Sequence, residues 1–157
     1  MCFWNAWFLP NRILIKAVTV LRPIAKSNSR GRILVVEGPL PMHRGVGELV
    51  AIVLRLQGFD VRAVFSCDEA RAIVSDFEPH AVIIELILDG KLAPALADEL
   101  KLLRPQMEVL LYGGHPFALE LCNKAGKYFA LPKPLHPDTI LAEIERLLSG
   151  RTETYSV

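Results

Sequence analysis

Three charged residues each follow a short apolar run and could together form one chemical site. Glu37 follows I-L-V-V, Glu85 lies near the end of A-V-I-I-E-L, and Lys133 comes two residues after Y-F-A-L. Two carboxylates and an ammonium group that lie together can form an internal ion pair, and carboxylates can also ligate a cation. Gly113, which follows a further run, E-V-L-L-Y, would bring no side chain to such a site. The elements that carry these four positions decide whether they meet.

The chain alternates short apolar runs with longer stretches of helical periodicity. The short runs predict five strands, at residues 32–36, 61–65, 81–86, 108–112 and 128–131. Helical spacing of apolar residues, capping signals and N-terminal prolines predict five helices. These signals are the stripe Leu49, Ile52, Val53 and Leu56 with Gly58 as its stop, the capping box Ser66–Glu69 for a helix to Phe77, and the stretches 94–103, 116–124 and 138–148.

Five strands that alternate with five helices predict a three-layer α/β domain. Its sheet should be parallel, doubly wound and covered by helices on both faces. In such sheets, ligands and reacting groups lie beyond the C-terminal ends of the strands. Glu37, Glu85, Gly113 and Lys133 all follow strands at that edge, so we expect them to lie close together.

Residues 31–150 resemble a response-regulator receiver domain of the CheY type. The resemblance rests on I-L-V-V-E at 33–37, H-A-V-I-I-E-L at 80–86 followed by Asp89-Gly90, V-L-L-Y-G-G-H at 109–115, and Y-F-A-L-P-K-P-L at 128–135. Lys133-Pro134 is its most specific part, and in this family that peptide bond is usually cis. The resemblance implies the flavodoxin-like strand order 2-1-3-4-5 and a role in two-component (phosphorelay) signalling.

The chemistry of that family requires a particular set of side chains. An aspartate accepts a phosphoryl group, two further acids hold Mg²⁺, a Ser or Thr contacts the phosphoryl oxygens, and a lysine neutralises charge. Only the lysine of that set is intact in this chain. One of the two further acids survives as a glutamate, and the aromatic residue that repacks on activation is also absent. The phosphoacceptor position is Glu85, the acidic pair is Glu37-Gly38, the hydroxyl position is Gly113, the aromatic position is Ala130, and the lysine is Lys133.

We expect these departures to abolish ordinary aspartyl-phosphate signalling. Glutamate places its carboxylate about 1.5 Å further out than aspartate, and a misplacement of about 1 Å can cost a hundredfold in rate. With one carboxylate lost, Mg²⁺ binding should be weak or absent, and no cofactor, metal or catalytic residue is expected. Glu85 either pairs with Lys133 and mimics a phosphorylated aspartate, or lies at a partly solvated rim while Lys133 serves as scaffold. An atypical phosphoacceptor that uses a non-standard carboxylate such as Asp89 stays open as an alternative.

The composition indicates a folded domain preceded by a distinct arm. The 157 residues are 52% hydrophobic and 22% charged with a net charge of +1, which excludes intrinsic disorder and argues against a dedicated nucleic-acid binder. Residues 1–30 have five basic and no acidic side chains and are predicted to be an apolar arm and linker. Residues 31–150 are predicted to form the receiver-like domain, and residues 151–157 are predicted to be a C-terminal tail. The arm contains Pro10, Arg12 and Lys16 and is a poor transmembrane helix, which leaves a peripheral membrane anchor as a second alternative.

The expected function is that of a single-domain, phosphorylation-independent signalling module and not of an enzyme. Only seven residues follow Gly150, so output should pass through protein contacts, around the last two helices and the fifth strand. The expected partner is a histidine kinase or another signalling protein. Three cysteines without metal-ligand spacing are expected to be isolated thiols in a reducing cytoplasm. The four histidines are expected to be loop or cap residues and not metal ligands: His43, His80, His115 and His136.

Overall fold

A five-stranded parallel sheet forms the centre of residues 29–150, the part of the chain that this computed structural model describes. The strands are β1 (Arg32–Val36), β2 (Asp60–Val64), β3 (Ala81–Glu85), β4 (Ile87–Leu88), β5 (Lys91–Leu92), β6 (Glu108–Gly113) and β7 (Phe129–Pro132). The parallel sheet has the order β2-β1-β3-β6-β7. Counted over those five strands alone, the order is 2-1-3-4-5, so the predicted flavodoxin-like α/β fold is confirmed.

Five helices connect and cover these strands. They are α1 (Pro41–Leu56), α2 (Cys67–Phe77), α3 (Pro94–Leu103), α4 (Pro116–Ala125) and α5 (Pro137–Ser149). All but α2 begin with proline, whose fixed φ suits a first helical turn. At α2 the predicted capping interaction is present, because the backbone N–H of Glu69 donates to Ser66 Oγ at 3.1 Å. The predicted bounds of all five long strands, and of α3, α4 and α5, agree with the structure to within one residue.

The two faces of the sheet have separate hydrophobic cores. One core joins the sheet to α2, α3 and α4, and the other joins it to α1 and α5. The three central strands, β1, β3 and β6, are almost fully buried, as expected for parallel strands with helices on both faces. This packing fixes the C-terminal ends of β1, β3 and β6 next to one another.

The apolar stripe that identifies α1 in the sequence lies mostly on the exposed side of that helix. Leu49, Ile52 and Leu56 are exposed, whereas Val50 and Leu54 are buried. Apolar residues occupy both faces of α1, so the periodicity identified the helix correctly but could not select its buried face. The structure therefore leaves a row of large apolar side chains on the surface of α1.

A short hairpin between β3 and α3 was not predicted. Strands β4 and β5 pair antiparallel around Asp89 and Gly90, which both have positive φ. Asp-Gly at the two central positions is the usual sequence of such a tight turn. Asp89 is therefore a turn residue and is exposed.

The predicted arm and tail lie mostly outside the described residues. Arg30, at the end of the predicted linker, donates its backbone N–H to the carbonyl of Gly58 at 3.1 Å and pairs with Glu145 of α5. Its guanidinium lies over the Phe59 ring, 4.9 Å from the centroid. Among the helices of residues 29–150, none has the length and apolar character that a membrane crossing requires.

Candidate functional site

The C-terminal edge of the sheet brings Glu37, Glu85 and Lys133 together, as their positions in the sequence predict. Glu37 follows β1, Glu85 ends β3, and Lys133 follows β7. Glu85 is opposite Tyr112 in the β3–β6 register. The backbone N–H of Lys133 donates to the carbonyl of Gly113 at 2.9 Å, which extends the β6–β7 pairing up to the lysine.

Lys133 bridges the two buried carboxylates. Its ammonium group lies 3.1 Å from Glu37 Oε1 and also donates a hydrogen bond to Glu85 Oε2. Glu37 is 0% and Glu85 6% exposed, while the Lys133 side chain is 22% exposed. Because these charges are largely removed from water, the pairing is much less screened than a surface ion pair. The peptide bond that follows, Lys133-Pro134, is cis.

Tyr112 is a further member of the site and was not predicted from the sequence. Its hydroxyl donates to Glu37 Oε1, and the Lys133 ammonium lies 4.5 Å from the centroid of its ring. Tyr112 ends the apolar run of β6, and a buried tyrosine hydroxyl usually has a hydrogen-bond partner. That rule is the signal in the sequence that could have identified it.

Burial is the main cause of the pKa changes at Glu85 and Tyr112. Loss of hydration raises the pKa of Glu85 above its ordinary value, although the hydrogen bond and charge of Lys133 act in the opposite direction. The pKa of Tyr112 is also raised, first by burial and then by the neighbouring Glu37 carboxylate. Tyr112 is therefore a neutral hydrogen-bond donor throughout the physiological pH range.

The position of the family's hydroxyl is filled by neighbouring atoms. A Cβ built on Gly113 would lie 2.6 Å from the Cβ of Leu86 and 3.1 Å from Glu85 Oε1. Such separations are shorter than van der Waals contact, so a serine or threonine could not enter without moving the buried Leu86. Gly113 is thus a packing requirement of this site, in addition to lacking a hydroxyl.

Ala130, at the aromatic position of the family, is buried in β7. The side chain of Asn123 in α4 accepts a hydrogen bond from the backbone N–H of Ala130 at 3.0 Å and donates one to the carbonyl of Ala130 at 3.2 Å. These two hydrogen bonds fix the backbone at a residue that offers only a methyl group to repack.

The first turn of α1 adds His43, a residue predicted from the sequence to lie in a loop or a cap. His43 Nδ1 lies 4.0 Å from Glu37 Oε2. That carboxylate oxygen is buried and has no hydrogen-bond partner within residues 29–150. The close approach of α1 depends on Gly47, since a Cβ there would lie 2.8 Å from Glu37 Cγ.

The other histidines lie apart from the cluster. His115 caps α4, accepting from the backbone N–H of Ala118 at 3.3 Å, and His136 is the N-cap residue of α5. His80 accepts the backbone N–H of Arg32 at 2.9 Å, at the opposite end of the sheet. These three therefore agree with the expectation for loop or cap residues.

An apolar groove of about 410 Å³ opens beside the cluster, between α1 and α5. Its lining residues come from both helices and from the segment that begins at Lys133: Val46, Leu49, Val50, Val53, Lys133, Pro134, Leu135, Pro137 and Ile140. Lys133 is thus shared between the buried cluster and this surface groove.

Comparisons with known proteins agree with the fold and identify its family. No protein-family model and no curated protein gives a significant match. Among solved structures, the receiver domain of NtrX from Brucella abortus is 30% identical, with a TM-score of 0.64 over 74% of this chain and 98% of that one.

Two further structures support the fold at lower identity. A CheY-like receiver domain protein from Methanospirillum hungatei is 19% identical, with a TM-score of 0.67 over 78% of this chain and 97% of that one. The receiver domain of the hybrid histidine kinase CckA is 23% identical, with a TM-score of 0.61 over 75% of this chain and 99% of that one. Together with the 30% identity over nearly the whole NtrX domain, these matches show that the chain belongs to the response-regulator receiver-domain family.

Proposed function

We propose that this protein is a receiver-like module of a two-component system that signals without being phosphorylated. The observation that carries the proposal is the contact of Lys133 with both Glu37 and Glu85 at the C-terminal edge of the sheet. In the family, the lysine neutralises charge around the phosphorylated aspartate. Here the carboxylates of the chain already supply that negative charge, so Glu85 mimics the phosphorylated aspartate as an internal ion pair.

The burial of Glu85 supports this interpretation over the alternative of a partly solvated rim. Glu85 is 6% exposed, and a buried carboxylate needs a charged or hydrogen-bonding partner. Its contact with Lys133 meets that need and also occupies the carboxylate that would attack a phosphoryl group. With Gly113 crowded by Leu86, position 113 offers no hydroxyl to position transferred oxygens, and the Tyr112 hydroxyl is already bonded to Glu37.

Weak or absent Mg²⁺ binding belongs to the same proposal. Mg²⁺ requires near-octahedral oxygen ligands, usually including one or two carboxylates. The second acid of the family is replaced by Gly38, and the imidazole of His43 fills the space beside it, so a nitrogen stands where Mg²⁺ would need an oxygen ligand. This donor set does not fit the family's Mg²⁺, and we therefore assign no catalytic step to the site.

Output is proposed to pass through contacts with a protein partner, such as a histidine kinase or another signalling protein in the cytoplasm. The face formed by α4 and β7 carries exposed apolar side chains at Phe117, Leu121 and Phe129. These side chains belong to the region predicted from the sequence for partner contacts, around the last two helices and the fifth strand of the parallel sheet. Exposed apolar clusters of this kind are typical of protein interaction surfaces.

Intact-mass spectrometry after incubation with a small-molecule phosphodonor and Mg²⁺ tests the proposal. We expect no increase in mass. A stoichiometric phosphoryl increase that disappears in Glu85→Ala would refute phosphorylation independence. An increase that disappears in Asp89→Ala would instead support the alternative of an atypical phosphoacceptor.

A further inference from the structure

His43 fills the space that a side chain at position 38 would need. A Cβ built on Gly38 would lie 2.8 Å from His43 Nδ1, which is too close for both to be present without a shift. Position 38 is where the receiver resemblance places the second acid. At this point of the site, the chain therefore offers an imidazole nitrogen from α1 in place of a carboxylate.

Three potential ligand atoms converge beside this imidazole. One nitrogen of His43 and one carboxylate oxygen from each of Glu37 and Glu85 lie within 4.8 Å of one another. The Glu37 oxygen that faces His43 is fully buried and finds no donor in the described part of the chain. A buried acceptor without a donor is costly, and a bound cation would satisfy it.

We propose that Glu37, His43 and Glu85 form a binding site for a divalent transition-metal ion of the Zn²⁺ class. Imidazole combined with carboxylates suits Zn²⁺ and neighbouring ions, whereas Mg²⁺ prefers oxygen ligands alone. Three protein ligands leave a fourth position for water, and His43 is 34% exposed on the solvent side of the site. This ion differs from that of the family in its ligands and in its chemistry.

Metal binding requires only a small movement of side chains. Tetrahedral Zn²⁺ with bonds of about 2.0–2.2 Å holds its ligand atoms about 3.4 Å apart. Atoms now up to 4.8 Å apart must therefore approach by as much as about 1.4 Å. His43 is the most exposed of the three and lies in the first turn of α1, so rotation of its side chain can supply this movement. Lys133 contacts Glu37 through Oε1 and Glu85 through Oε2, so Glu37 Oε2 and Glu85 Oε1 are left for the ion.

Calorimetric titration of the full chain with Zn²⁺ tests the site, with Co²⁺ absorption in the visible range as a second readout. We expect one saturable Zn²⁺ per chain and at least about tenfold weaker binding in His43→Ala. Gly38→Ala retains all three ligands but displaces the imidazole, so it should weaken binding as well. His136→Ala, at an exposed histidine outside the cluster, is the matched control and should bind as the wild type does.

The proposed metal site would be refuted if no saturable Zn²⁺ binding were found, or if the affinity were unchanged in both His43→Ala and Gly38→Ala. Zn²⁺ binding that depends on Cys67 instead would also refute it. If His43→Ala does not fold, Gly38→Ala still decides the question. A Zn²⁺ site does not depend on phosphorylation independence, so a phosphoryl mass increase would refute the proposed function and leave the metal site standing.

Discussion

Replacement of Lys133 by methionine should destabilise the domain strongly, because it leaves two buried carboxylates without their cation. Glu37 and Glu85 are 0% and 6% exposed, and both contact the Lys133 ammonium. Removing one partner from a buried ion pair typically costs about 3–5 kcal/mol of unfolding free energy. Methionine keeps most of the aliphatic volume, so the loss of charge and not of packing dominates the change.

Lys127→Met is the matched control for this measurement. Lys127 forms a surface ion pair with Asp98 at 2.8 Å, and the two side chains are 63% and 47% exposed. Such a pair contributes about 0–1 kcal/mol. Urea denaturation at pH 7, followed by circular dichroism, gives the unfolding free energy of both variants.

The double variant Lys133→Met/Glu85→Gln isolates the electrostatic part of the effect. Removing the charge of Glu85 as well should recover part of the lost stability, because only one buried carboxylate then remains. A loss of unfolding free energy in Lys133→Met no larger than that in Lys127→Met would contradict the role of the buried ion pair. A double variant less stable than Lys133→Met would contradict it as well.

Two further predictions concern the same cluster. Gly113→Ser should destabilise the domain by about 1–3 kcal/mol through overpacking against Leu86. Gly114→Ser is the control, because a Cβ at position 114 would meet no neighbouring atom of the described chain within 4 Å. This variant should change the unfolding free energy by less than about 0.5 kcal/mol. Urea denaturation measures both, and equal losses would contradict the packing argument. The raised pKa of Glu85 means that the native state holds this proton more tightly than the unfolded chain does. As pH rises above 4.5, the ordinary pKa of glutamate, the wild type should therefore lose stability relative to Glu85→Gln. Urea denaturation over a pH series measures this difference, and a gain in the relative stability of the wild type would refute the prediction.

The sheet and the meeting of its charged residues could be predicted because both depend on local patterns. Fully buried parallel strands require continuous apolar runs, and those runs are visible at β1, β3 and β6. Once the strands are parallel, residues after their C-terminal ends must share one edge. Glu37, Glu85 and Lys133 needed no further information to be placed together.

The start of α1 and its contribution to the site depend on tertiary packing and could not be predicted. Residues 41–47 (P-M-H-R-G-V-G) contain two glycines, which lower helix propensity. The helix nonetheless begins at Pro41, and Gly47 allows the backbone to approach Glu37. The position of His43 follows from that approach, which leaves no periodic signal in the sequence. The hairpin at Asp89 was missed for a different reason, because strands of two residues are too short to show alternation.

The bridge from Lys133 to Glu37 and Glu85 also bears on how such a module could be controlled. A phosphoryl group is installed and hydrolysed, so its lifetime sets the duration of a signal. Under the proposed function, the equivalent negative charge is supplied by glutamate side chains of the sequence itself. It therefore persists until the protein is degraded. Regulation would then depend on synthesis, turnover and competition for binding partners. The concentration of the protein, and not the lifetime of a phosphoryl group, would set the strength and duration of the signal.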